Sequence, residues 1–112
     1  MKIYVCSPYG GKQENYERAL EHCRAVAAMG HIPLASHVML HGILNDHVPA
    51  QRQNGLAAGL ALVEIADEVW VFGQVLSPGM EGEITHALKL GVPVKRNPLQ
   101  QTKQPLEQGG RR

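Results

Sequence analysis

The sequence predicts an α/β domain: a three-layer sandwich with a small parallel sheet and helices on both faces. Three observations carry this. Four short runs are rich in β-formers, at residues 2–6, 32–35, 68–72 and 92–94. Three longer stretches between them repeat apolar residues at helical spacing. The two kinds alternate strictly, the pattern of βαβ units.

The first strand contains Ile3, Tyr4 and Val5, and Ser7-Pro8-Tyr9-Gly10-Gly11 breaks it as a turn. From about residue 13 to 29, Tyr16, Leu20, Cys23 and Ala27 recur at helical spacing, with Ala19 and Val26 beside them; Gly30 is the stop. After the second strand, residues 36–49 hold three histidines, Asn45 and Asp46 and read as an irregular segment of the length functional loops reach. A helix follows from residue 49 or 50 to 66, nearly apolar after Asn54. Gly55, Ala58, Gly59 and Ala61 make one of its sides small, which suits packing on its own sheet or on a second subunit. The third strand leads through Ser77-Pro78-Gly79 into a helix ending near Leu90, and residues 92–94 are the last strand. From Asn97 onward the chain is polar and aperiodic, so the domain is expected over 1–96 and a flexible tail over 97–112.

Right-handed crossovers place all strand C-termini on one edge, where flavodoxin-like and Rossmann-like sheets bind ligands. Residues 7–11, 36–41 and 77–83 are expected to converge there.

Composition narrows the function classes. With 112 residues there is room for one domain, and a formal net charge of +1 without charged blocks gives no electrostatic case for a nucleic acid polymer or a membrane surface. Cys6 and Cys23 form no CxxC pair and read as buried thiols in a reducing compartment. No signal peptide or spanning apolar run is evident, so a cytoplasmic protein is expected.

Residues 77–83 are the most informative stretch. A strand feeding a Ser/Gly turn and then a helix gathers backbone N–H groups and a positive dipole end, which suits an anion. It is also expected to hold Glu81 and Glu83 in the first helical turn. Met80, Glu83, Ala87 and Leu90 share a face at three- and four-residue spacing, while Glu81, Thr85 and Lys89 make a polar line. Glu83 therefore belongs to the stripe facing the sheet, where a carboxylate is costly unless bonded, paired or functional. Glu81 reads as a solvated complement to the dipole.

Other motifs say less. The two glycines of residues 7–11 allow close backbone approach to a ligand. G-x-G-x-x-G and Walker patterns are absent, which argues against a dinucleotide site. His37, His41 and His47 with Asp46 lack H-E-x-x-H spacing and a Cys pair, so no metal is expected. A loop histidine at the strand edge better suits hydrogen bonding or acid–base work. His22 and His86 read as surface or interface residues. Asp46 either caps the following helix or holds Arg52; alternatively Arg52 meets a phosphate or carboxylate bidentately.

Four segments, in order over residues 2 to 95, resemble the nucleoside 2-deoxyribosyltransferase-like superfamily. They are Tyr4-Val5-Cys6-Ser7-Pro8-Tyr9-Gly10-Gly11, Ser36-His37-Val38, Ala66-Asp67-Glu68-Val69 and Ser77-x-Gly79-x-x-x-Glu83-Ile84-x-x-Ala87. By motif the match is nearest to the 2′-deoxynucleoside 5′-phosphate N-hydrolases and to short uncharacterised bacterial and phage relatives. The resemblance implies cleavage of the N-glycosidic bond of a deoxynucleoside 5′-monophosphate with Glu83 as nucleophile. Ser77 stands where the transferases carry an aspartate and is implied to contact the 5′-phosphate. Ser7 and the Gly10-Gly11 backbone match phosphate or sugar contacts, and Tyr9, Gly79 and Met80 are expected beside them.

Tyr9 replaces an arginine of the hydrolase turn. Gly59 stands where the family has an aspartate that protonates or orients the base, so His37 or Glu81 has to supply that proton. No metal or organic cofactor is implied. The expected partners are a nucleotide or nucleoside and further copies of the chain, in a homodimer or larger assembly. The alternatives are a non-catalytic nucleotide-binding or sensor module, a nucleoside deoxyribosyltransferase, and a plain interaction domain.

Overall fold

Four parallel strands lie side by side in the order β2-β1-β3-β4. They are β1 (Lys2–Cys6), β2 (Ile32–Leu34), β3 (Glu68–Val71) and β4 (Val94–Arg96) in a computed structural model that describes residues 1–99. The helices are α1 (Gln13–Ala28), α2 (Ser36–Met39), α3 (Pro49–Ile65) and α4 (Pro78–Leu90). In register, Ile3 lies opposite Glu68, Tyr4 opposite Leu34 and Val69, and Val69 opposite Val94.

The strand period of two sorts β1 between two cores. Ile3 and Val5 pack with Cys23 and Val26 of α1, together with Trp70 and Phe72. Tyr4 and Cys6 point the other way, toward Val63 of α3 and Met80 and Ala87 of α4. The expected three-layer sandwich, with helices on both faces of a parallel sheet, is the observed fold. Both cysteines are buried free thiols, and burial pushes the Cys23 thiol up to about 11. No helix among the described residues is long and apolar enough to cross a membrane.

Several expectations need correction. The last strand runs over 94–96, not 92–94, because Val92, just past α4, is tied back to the helix end. Its N–H donates to the Ala87 carbonyl around Gly91, whose φ of 76° closes the helix in a left-handed turn. Pro93 has no N–H to give to a ladder. The segment 36–49 is not wholly irregular: it opens with α2, four residues long and too short for periodicity to reveal. On α4 the apolar stripe ends at Ala87, and Leu90 is 50% exposed. Glu83 lies in the second turn of α4, so only Glu81 occupies the first, next to the dipole end. On α3, Gly59 and Val63 are buried toward the domain, whereas Ala57 and Ala61 are exposed. Most of the polar tail, residues 100–112, lies outside the described residues.

Candidate active site

The C-terminal ends of β1, β2 and β3 feed the turn after Cys6, α2 and the start of α4 respectively. These meet α3 around one cleft. Two buried polar residues line it, Glu83 and Ser36, each 4% exposed. The helical spacing that buries Met80 and Ala87 carries Glu83 inward with them.

The carboxylate is held from one side. The Tyr4 hydroxyl donates to Glu83 Oε2 at 2.7 Å. Having spent its proton there, it accepts from Ser36 Oγ at 3.1 Å. Burial, and then the charge of Glu83, hold the Tyr4 pKa well above 10.0, so the donor stays protonated. Glu83 Oε1 is buried without a hydrogen-bond partner. Burial raises the pKa of Glu83 above 4.5, against the hydrogen bond from Tyr4, which lowers it. The Tyr4 donor from β1, rather than the dipole of α4 one turn away, is what favours its anion.

Space for the carboxylate comes from Gly59. A β-carbon at this position of α3 would overlap Glu83 Oε2 and crowd the Tyr4 hydroxyl. Where the resemblance expects an aspartate, the conformation of Glu83 leaves no room for any side chain.

His37, on α2, also lines the cleft. Its Nε2 lies 2.8 Å from the Ser7 carbonyl oxygen. A carbonyl can only accept, so Nε2 carries the proton and Nδ1 is the lone-pair nitrogen of the neutral ring. The ring stacks on Tyr9 at 4.8 Å between centroids. Burial lowers the His37 pKa, outweighing the Ser7 carbonyl and the charge of Asp46. The Tyr9 hydroxyl lies 3.1 Å from Nδ1 of His41, which stacks in turn on Tyr16. At the far end of the cleft, Arg52 Nη1 donates to Asp46 Oδ2 at 2.7 Å. Asp46 thus holds Arg52; α3 has no side-chain cap.

Most of the residues singled out from the sequence line this cleft: Tyr9, Gly10, His37, Ser77, Gly79, Met80 and Glu83. Two do not. Ser7 is 2% exposed, its hydroxyl has no partner, and its carbonyl anchors His37. Gly11 packs against Asp46 and borders a shallower neighbouring groove. Ser77 lines the cleft while its Oγ caps α4, accepting from Met80 N–H at 3.3 Å. Glu81 is exposed and borders a separate groove with Leu60 and Lys89, so of the two expected proton sources only His37 reaches the cleft.

The residue that sequence reasoning missed is Tyr4, noted there as a β-former and in one of the resembling segments but given no role. A tyrosine inside a core strand must still place its hydroxyl, and that requirement was the available signal.

A family model described as a domain of unknown function, DUF7768, matches residues 1–97. The chain belongs to that family. A comparison with curated proteins finds no match. Among solved structures, the chain is similar to the 2-deoxyribosyltransferase from the psychrotolerant bacterium Bacillus psychrosaccharolyticus, described as a biocatalyst for the synthesis of antiviral and antitumoral nucleosides. The TM-score is 0.68 at 19% sequence identity, over 86% of this chain and 71% of that one. At that identity the likeness establishes a shared fold, with the cleft of this DUF7768 domain at the C-terminal edge of its sheet.

Proposed function

We propose that the protein hydrolyses the N-glycosidic bond of a deoxynucleoside 5′-monophosphate, with Glu83 as nucleophile. The observation that carries this reading is the state of that carboxylate: buried in a cleft wall, held at Oε2 and without a partner at Oε1. A buried acceptor lacking a donor costs about 1–3 kcal/mol. Such groups concentrate where a ligand completes the site.

In the proposed reaction a lone pair of Oε1 forms a bond to the anomeric carbon. The carbon–nitrogen bond breaks and its electron pair passes to the base, which takes a proton from the Nδ1 side of a protonated His37. Water then attacks the anomeric carbon of the glycosyl ester, passing a proton to the now neutral Nδ1 of His37, and Glu83 leaves as a carboxylate. Tyr9, stacked on His37, offers an aromatic face to the base. Ser77 and the start of α4 favour an anionic group.

The shared fold with a 2-deoxyribosyltransferase supports chemistry on a nucleoside, and it favours one second reading. The same glycosyl ester can pass its sugar to another base instead of water. Incubation with a panel of deoxynucleoside monophosphates and deoxynucleosides, with chromatography for free base, tests both. Base release that vanishes in Glu83→Gln supports the hydrolase. Exchange that requires an added base supports the transferase. A rise in Tm with ligand but no released base leaves a binding module.

A further inference from the structure

We infer that Arg52 is the anion-recognising residue of this cleft and that the anion is a phosphate monoester. The inference rests on the nucleotide reading above. Arg52 is the only Lys or Arg side chain lining the cleft among the described residues.

Its position follows from α3. Arg52, Leu56 and Gly59 recur at four- and three-residue spacing and share one helix face. The helical rise separates Arg52 from Gly59 by about 10 Å along the axis. Gly59 abuts the Glu83 carboxylate, and Leu56 lies against Gly79. Arg52 and Glu83 therefore mark opposite ends of one cleft, with Leu44, Leu56 and Met80 in its apolar lining. An anion beside Glu83 would meet a buried like charge. It belongs at the other end, where the guanidinium is.

Asp46 orients that guanidinium without using it up. The ion pair takes one Nη1 donor, and a guanidinium carries five N–H donors. The Asp46 side chain is 17% exposed and that of Arg52 43% exposed, so the carboxylate lies behind and the fork faces outward. Because Asp46 balances the charge, attraction comes from the geometry of a fixed fork rather than from a net positive field. That geometry favours a planar bidentate match to phosphate oxygens. The cleft's two serines are not alternatives to Arg52: the Ser36 hydroxyl is bonded to Tyr4, and Ser77, whose oxygen caps α4, keeps only its O–H to assist the guanidinium.

The plain alternative is that Asp46 and Arg52 only staple residues 40–48 to α3. Calorimetric titration of parent, Arg52→Gln and Arg52→Lys separates the two, using a deoxynucleoside monophosphate, its deoxynucleoside and deoxyribose 5-phosphate. Circular dichroism melts establish that each variant is folded. The expected result for Arg52→Gln is a loss of about tenfold to a hundredfold for both phosphate ligands, with the nucleoside changed less than about twofold. Arg52→Lys keeps the charge without the fork and should fall between.

Equal losses for nucleoside and monophosphate, unchanged monophosphate affinity, or a parent that binds no phosphate monoester overturns the inference. The outcome is separable from the glycosidase reading. Base release by the parent with unchanged affinity in Arg52→Gln removes only the role of Arg52. Arg52-dependent binding of deoxyribose 5-phosphate without base release from any nucleotide removes only the glycosidase.

Discussion

Gly59 on α3 and Glu83 on α4 are fitted to each other: the carboxylate Oε2 occupies the space a β-carbon at residue 59 would take. The helices can bring a charged group this close to a backbone only because residue 59 has no side chain.

Gly59→Ala is therefore expected to displace Glu83 rather than fill a void. Overpacking a buried site costs about 1–3 kcal/mol, against a helix-propensity gain of about 1 kcal/mol. Base release should fall much more than stability. Gly59→Asp should be worse on both counts, since it buries a second carboxylate beside the first. Denaturant melts and base-release assays on both variants check this; an active Gly59→Asp protein would show that Glu83 has another productive conformation.

Tyr4→Phe removes the donor to Oε2. The Tyr4 hydrogen bond lowers the Glu83 pKa, so its loss raises that pKa further. An activity that needs ionised Glu83 then loses its acid limb at a higher pH than in the parent. The pH dependence of base release reads this directly, and an unmoved acid limb would detach Tyr4 from the carboxylate's ionisation.

Glu83→Gln should be inactive yet more stable at neutral pH. The pKa of Glu83 in the folded state lies above its ordinary 4.5, so the folded state binds the proton more tightly than the unfolded chain does. The stability contributed by this group is present below pH 4.5 and is lost as pH rises through the raised value. Removing the charge restores it. Tm measured at pH 7 and at pH 4 should show an advantage for the variant only at the higher pH.

If His37 is the acid, activity should follow a narrow bell. Glu83 must be ionised, with a pKa above 4.5, and His37 protonated, with a pKa below 6.5. The maximum is expected between those values, on the acid side of neutrality. His37→Asn should remove the basic limb. Activity that keeps rising beyond pH 7 assigns the proton to another group.

Ser77→Asp tests the other end of the substrate. A carboxylate at the start of α4 would repel a phosphate and leave a free nucleoside little affected. Calorimetry should show a much larger loss for the monophosphate; equal losses would place the phosphate away from α4.

Periodicity carries information about faces, and that is what could be read from the sequence. The strict alternation gave the layers and the parallel sheet. The three- and four-residue spacing singled out Glu83 over Glu81 as the inward carboxylate, and the topology brought Tyr9, His37, Ser77 and Glu83 to one edge. Short elements and side-chain fit were not readable. α2 is a single turn, and the end of α4 ties back Val92 through backbone hydrogen bonds that no residue pattern announces. Ser7 follows a buried strand directly and stays buried with it, so its hydroxyl misses the cleft. The fit of Gly59 to Glu83 depends on how two helices cross, a property of neither helix alone.

The Tyr4 hydroxyl joins partners far apart along the chain, 32 positions away at Ser36 and 79 at Glu83. It sits at the start of the sequence and is completed near the end, with α3 closing over it at Gly59. Local opening of α4 leaves the tyrosine without its acceptor and the cleft without its carboxylate in a single event. The cleft is thus tied to the integrity of the whole domain: with α4 undocked, Tyr4 and Glu83 are parted and no partial arrangement of the two remains. Hydrogen exchange in α4 and loss of activity under mild denaturant should therefore follow one and the same transition.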